Sequence, residues 1–440
     1  MMALAAVSAC GARTPLDVVR DTGDAAMGAD ATRACEETSP AGTVLWRTTL
    51  TQERSLTGPL AADADGTTYF ARDPALLGMP DTRAPALYAL DRCGRVRWSA
   101  AWPHFQNRSV LVHAMRVGPN LLVGDGDLQA FDAATGRHGW TLDLVQLART
   151  LGIGDVTGSN ALRRLVADAS GVVYAMIQSP EQLGVLRVDA SGAARLVLRA
   201  PLHPNASDVT DMVLDAAGHL VFAVTDTNVS PGPGVLYSFT TDGAQVYALH
   251  LAVVDYLDHL TAGDGYVLLG DTGTLVSDAG RTLRTLERFV GPAAVDGVGN
   301  IFTLLRRTGD DAGMQRLDPS GTPRWTASVQ GGYAFSYTGG PLLGQRSVYS
   351  VYYRTATTAD GGVTSATVLH AVDRVSGAAA RFEFAGSWQG NALLLTGGVV
   401  VFAIGGAAVA VSTGGDEPAQ DGYWPTPHGG NDQRGAARGR

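Results

Sequence analysis

The stretch ALYALDRCGRVRW, Ala86 to Trp98, runs from an apolar segment into a turn at Asp91 and Gly94 and returns as a strand closing on Trp98. LQAFDAATGRHGW (Leu128 to Trp140) and MQRLDPSGTPRW (Met314 to Trp325) follow the same plan. The phrase recurs eight times between residues 42 and 425, closing near Trp98, Trp140, Leu198, Leu249, Leu286, Trp325, Phe384 and Trp424. A period of roughly 40 to 60 residues, built only from strands and tight turns, predicts an all-β chain: a single β-propeller. Eight four-stranded blades are the simplest count; seven result if two weak repeats merge. GTVLWRTTL, from Gly42, precedes the first full repeat. It is expected to lend its strand to the last blade, closing the ring as an N-/C-terminal strand latch and hiding the sheet edges at the seam.

A second phrase recurs inside the units: DADGTTYFA (Asp63 to Ala71), DASGVVYAM (Asp168 to Met176), DAAGHLVFAV (Asp215 to Val224) and DGVGNIFTL (Asp296 to Leu304). Asp opens each turn because its carboxylate accepts backbone N–H groups, and Gly in fourth place takes positive φ. These carboxylates superficially suggest calcium ligands; one per unit at a fixed turn position reads instead as turn chemistry.

Gly makes up 55 of the 440 residues, as many tight turns require. All 33 basic residues are Arg, with four Ile and eight Asn, the mark of a GC-rich coding sequence. A net charge of −9 offers no electrostatic footprint for nucleic acid. Leu393 to Ser412 is twenty uncharged residues and long enough to span a bilayer, but Gly397-Gly398 and Gly405-Gly406 divide it into Val-rich pieces. It is expected to form strands of the last blade.

MMALAAVSAC, residues 1–10, ends on Val7-Ser8-Ala9-Cys10, which resembles the bacterial lipobox and implies lipidation at Cys10. No basic residue precedes this short apolar run, so a start further upstream or an incidental Cys in a leader are the alternatives. Gly11 and Ala12 favour an outer-membrane anchor over inner-membrane retention. Residues 11–41 read as a flexible tether, 42–430 as the propeller and 431–440 as a flexible tail. Cys35 and Cys93, an even pair in an exported chain, are expected to form a disulfide, the alternative being two free thiols.

The unit LYALDRCGRVRW is similar to the repeat of pyrroloquinoline-quinone-like propellers, Ala-x-Asp-x-x-x-Gly-x-x-x-Trp. Ala89, Asp91, Gly94 and Trp98 carry it with one residue fewer between Asp and Gly; Ala130, Asp132, Gly136 and Trp140 carry it in full. The resemblance covers about residues 42–435 and implies that Trp46, Trp98, Trp140, Trp325 and Trp424 pack between blades. The C-terminal YWPTPHGGNDQRGAAR also resembles segments that flank such arrays. Quinoprotein dehydrogenases of the superfamily hold their quinone with an adjacent-cysteine disulfide and a calcium ion; this chain has no Cys-Cys pair.

No nucleophile elbow, zinc-protease helix or phosphate-binding loop is present, so catalytic residues, metal and cofactor are all assigned as none. Asp255, Asp258 and His259 in DYLDHL and the GDGD run at Gly124–Asp127 read as loops before they read as metal sites. Binding is expected on three insertions: Arg72–Pro85, Thr225–Gly234 and Tyr352–Ala366. The expected function is a monomeric, non-enzymatic, lipid-anchored scaffold of the cell envelope that binds a protein or glycan partner. It resembles in outline the propeller lipoprotein of the outer-membrane β-barrel assembly machinery, facing the periplasm or the cell surface. The alternative is a secreted or periplasmic propeller, enzyme or ligand binder, with a metal, quinone or sugar in its channel.

Overall fold

The computed structural model describes residues 19–20, 39–51, 56–72, 87–102, 113–124, 126–156, 162–202, 207–226, 232–254, 259–270, 272–286, 293–306, 312–329, 333–334, 340–357 and 363–420. Among them stand eight sheets, the eight blades of a single propeller, antiparallel throughout except that Val19–Arg20, in the segment expected as a tether, adds a parallel strand beside Phe382 and Glu383 at the outer edge of the seventh. Blade 1 is Leu56–Ala62, Thr68–Arg72, Leu87–Leu90 and Val96–Ala100. Blades 2 to 7 follow over 113–143, 164–201, 207–254, 260–285, 294–329 and 333–385. From blade 7 through blade 8 and on round to blade 5, the first strands of successive blades pack on one another around the axis. Eight apolar clusters fill the gaps, one at each blade-to-blade interface.

Blade 8 closes the ring. Trp388–Leu395, Val399–Ile404 and Ala407–Ser412 supply three strands. The fourth is Val44–Thr49, antiparallel to the third with Trp46 opposite Ala410. The apolar run Leu393 to Ser412 is therefore sheet, with turns at its two glycine pairs and Val400 to Ala403 wholly buried. No helix among the described residues is long and apolar enough to cross a membrane. The eighth repeat ends on Trp46 rather than near Trp424, because the N-terminal strand occupies the outer edge that a C-terminal strand would need. Trp424 lies outside the described residues.

The tryptophans sit where blades meet. Trp98 Nε1 donates to the Ala133 carbonyl of blade 2 at 2.8 Å, and Trp46, Trp140 and Trp325 reach Arg92, Ala190 and Arg374 carbonyls at 2.9, 3.1 and 3.0 Å. Each ring covers a positive-φ glycine of the next blade's outer turn: Gly94, Gly136, Gly192 or Gly377. A Cβ on Gly136 would lie 2.5 Å from the Trp98 ring, so only glycine permits this approach. A one-residue bulge just before Trp46, Trp98 and Trp140 turns the indole toward the neighbour. Where Trp is missing, Tyr247 covers Gly280 and Phe382 covers Gly42, each two residues before the Leu249 and Phe384 of the sequence pattern.

The Asp-opened turns behave as turns. Asp168 Oδ1 accepts the Ser170 and Val172 amides, Asp215 those of Ala217 and His219, and Asp296 those of Val298 and Asn300. One departure from an all-strand chain is the helix Leu144–Thr150, capped by Asp143 accepting from the Gln146 amide at 2.8 Å. Its Leu144 and Ala148 fill the cluster between blades 2 and 3, which lengthens that crossover.

Candidate functional site

Strand alternation sorts the loops. Turns from first to second and third to fourth strand share one face of the ring. Turns from second to third strand, and the blade-to-blade crossovers, share the other. The three insertions Arg72–Pro85, Thr225–Gly234 and Tyr352–Ala366 are all second-to-third connections, in blades 1, 4 and 7. The strand ends that bracket them therefore lie on one rim, three blades apart from blade 1 to 4 and from 4 to 7 and two from 7 back to 1. The central residues of the insertions, 73–86, 227–231 and 358–362, lie outside the described set. In blade 7 the flanking strands Ser347–Thr357 and Val363–Asp373 are eleven residues each, the longest in the ring, and project the hairpin from the rim.

Charged groups bridge the first strands at the same end. Arg164 opens the first strand of blade 3, and its Nε lies 2.5 Å from Asp211 Oδ1 on blade 4. His259, directly before the first strand of blade 5, sets Nδ1 2.8 Å from Asp211 Oδ2. One carboxylate, 4% exposed, thus ties three consecutive blades at the channel mouth. Burial makes such a carboxylate costly unless both oxygens are paired, as they are here. Nothing local in the sequence marks this set, because its members are 47 and 48 residues apart. What signal there is lies in one polar residue near the start of each of three inner strands. His259 is paired with Asp211, while Asp255 and Asp258 lie outside the described residues.

The tight-turn face carries a second charged group. Asp278 is pushed up to about 6, first by burial, then by the neighbouring Asp215 charge and, more weakly, by Asp264, against a lowering influence from His219. Asp215 itself binds His219 at 3.1 Å. No group of three His, Cys, Asp or Glu suited to a metal ion occurs among the described residues.

Cys93, in the outer turn of blade 1, is disulfide-bonded, and the other two cysteines, Cys10 and Cys35, lie outside the described residues. Its amide is fixed by Asp91 Oδ1 at 2.9 Å. None of the three cysteines is adjacent to another, so the residues do not fit the quinone site of the superfamily's dehydrogenases. A cavity of about 390 Å³ opens between blades 7 and 8 on the loop face, lined by Arg47, Thr49, Thr51, Ser365 and Ser387 and floored by Gly405 and Gly406.

The chain is similar to several proteins of known structure. BamB from Moraxella catarrhalis is 15% identical, covering 84% of this chain and 99% of its own, with a TM-score of 0.49. Quinohemoprotein alcohol dehydrogenase from Comamonas testosteroni is 14% identical over 87% of this chain and 78% of its own, at 0.53. The enzyme ADHIIG from Pseudomonas putida HK5 is 13% identical over 88% and 78%, also at 0.53. At such identities the dehydrogenase likeness concerns the fold. No curated protein sequence matches the chain. The family model described as outer membrane protein assembly factor BamB matches residues 33–275. With more than half of the chain inside that match and eight blades in the ring, this protein belongs to the BamB-like family of pyrroloquinoline-quinone-like repeat propellers.

Proposed function

We propose that the chain is a non-catalytic scaffold of the bacterial cell envelope, lipid-anchored through Cys10, that docks a protein partner on its loop face. The observation that carries this reading is that the strand ends bracketing all three insertions lie on one rim of the ring. Binding elements on loops held by a stiff frame are how scaffolds combine order with variable specificity. Cys35 is the proposed partner of Cys93, tying the end of the tether to blade 1 on the tight-turn face. That attachment leaves the loop face free for the partner. The outer membrane is the proposed address and a monomer the proposed state.

A second reading, a small ligand at the channel mouth, is favoured by the Arg164–Asp211–His259 bridge alone. One experiment separates the two. The protein is cross-linked in intact cells of its host and recovered with its neighbours, in wild-type form and with residues 73–84 replaced by a short Gly-Ser turn. The expected result is at least a tenfold loss of the cross-linked partner for the shortened loop, with full recovery for Asp211→Asn. Loss for Asp211→Asn but not for the shortened loop sinks the rim reading. In a parallel arm, equal palmitate labelling of wild type and Cys10→Ala sinks the lipid anchor.

A further inference from the structure

We propose that the segment Thr413 to Gln420 is a C-terminal strap that supplies in trans the turn aspartate blade 7 lacks, giving the ring a second closure. In blades 1 and 3 the first-to-second turn opens on Asp63 or Asp168, and the carboxylate takes the hydroxyl of the tyrosine two residues into the next strand. Tyr69 donates to Asp63 Oδ2 at 2.7 Å and Tyr174 to Asp168 Oδ2 at 3.4 Å. Blade 7 has the same tyrosine, Tyr349, but its turn opens on Gly344.

The missing carboxylate arrives from 70 residues downstream. Asp416 Oδ1 accepts the Arg346 amide at 2.8 Å, and Oδ2 accepts the Ser347 amide at 2.9 Å and the Tyr349 hydroxyl at 2.8 Å. Asp416 is 1% exposed, and a Cβ on Gly344 would lie 2.6 Å from its Oδ2. The carboxylate thus fills the space that an aspartate at position 344 would occupy. Burial and the Asp416 charge push the Tyr349 pKa up, which keeps its hydroxyl a donor.

The strap also pairs with the ring. The Ala419 amide donates to the Leu343 carbonyl and the Gln345 amide to the Glu417 carbonyl, both at 2.8 Å, on the edge of the Leu342–Leu343 strand opposite its ladder partner. Glu417 meanwhile accepts the Gly397 amide of blade 8 at 2.9 Å, and Thr413 Oγ1 donates to the Gly398 carbonyl at 2.6 Å. The N-terminal strand Val44–Thr49 closes blade 8 at the ring's outer edge. The strap joins blades 7 and 8 at the inner edge, next to that same seam.

Hydrogen exchange on the full-length chain tests this. In Asp416→Ala the Arg346 and Ser347 amides are expected to exchange at least tenfold faster, while the Ser170 and Val172 amides of blade 3 stay unchanged. Gly344→Ala, which leaves the strap intact but displaces its carboxylate, is expected to give the same local signature. Tyr349→Phe, which removes one hydroxyl, is the mildest probe and is expected to speed exchange at Ser347 alone. A Cβ at 344 would meet Asp416 Oδ2 at 2.6 Å and the Ser347 carbonyl at 2.9 Å, and removing Asp416 relieves only the first, so the double variant is expected to be less destabilised than the sum of the two singles while keeping the clash with Ser347. Unchanged protection at Arg346 and Ser347 in any folded variant, or strict additivity, overturns the proposal.

Discussion

Trp98→Ala is expected to destabilise the ring by about 3–5 kcal/mol, the range for deleting a buried tryptophan, read as a fall in the denaturant midpoint at unchanged slope. Trp98 is 8% exposed in the apolar cluster between blades 1 and 2, and its truncation also removes the shorter of two hydrogen bonds to the buried Ala133 carbonyl, leaving the Tyr69 hydroxyl at 3.3 Å. Trp140, only half-buried and with its hydrogen bond near solvent, is expected to cost roughly half as much on the same scale. Gly136→Ala tests the glycine side of the contact. In the wild type the new Cβ meets the indole at 2.5 Å and φ is +71°. In the Trp98→Ala background only the backbone strain remains, about 1–2 kcal/mol. The double-mutant cycle is therefore expected to show coupling of more than about 1 kcal/mol. Additive changes would mean that the indole and the glycine do not specify each other.

Acid is expected to attack blade 7 through His370. This residue lies on the strand Val363–Asp373, 3% exposed, with the Tyr352 ring edge-on at 6.2 Å. Burial, with a smaller contribution from the Arg381 charge, depresses its pKa from 6.5 to about 4. The unfolded chain therefore binds a proton between those two values while the folded chain does not. Stability from this group is complete above pH 6.5 and drains as pH falls toward 4, by about 3 kcal/mol in all. His370→Leu keeps an apolar side chain in the strand and cannot titrate. Its unfolding free energy is expected to fall by about 3 kcal/mol less than that of the wild type between pH 7 and pH 4. Superimposable acid profiles of the two proteins would show that His370 is charged in the fold.

The blades were legible because each repeat is local. Asp91, Gly94 and Trp98 lie within eight residues, and a short-range turn needs nothing from the rest of the chain to declare itself. The latch was legible too, since GTVLWRTTL is a strand with no neighbour of its own in sequence. The register of weak repeats was not. Leu249 and Phe384 do pack at the interfaces, but the rings over the neighbouring glycines are Tyr247 and Phe382, a contact between blades that composition does not reveal. The channel-mouth bridge and the Asp416 strap were invisible for a similar reason. Arg164, Asp211 and His259 meet only when three inner strands converge, and Asp416 meets Tyr349 only across the seam.

By itself the sequence determined the repeating strand and turn chemistry, hence a propeller, because hydrophobic period and Asp-Gly turns act over a few residues. Tertiary structure alone decided which face carries the three insertions, which charges pair between blades, and how both chain ends close the ring. Those outcomes depend on closure, which brings residues tens to hundreds of positions apart within hydrogen-bonding distance, and no local pattern encodes that proximity.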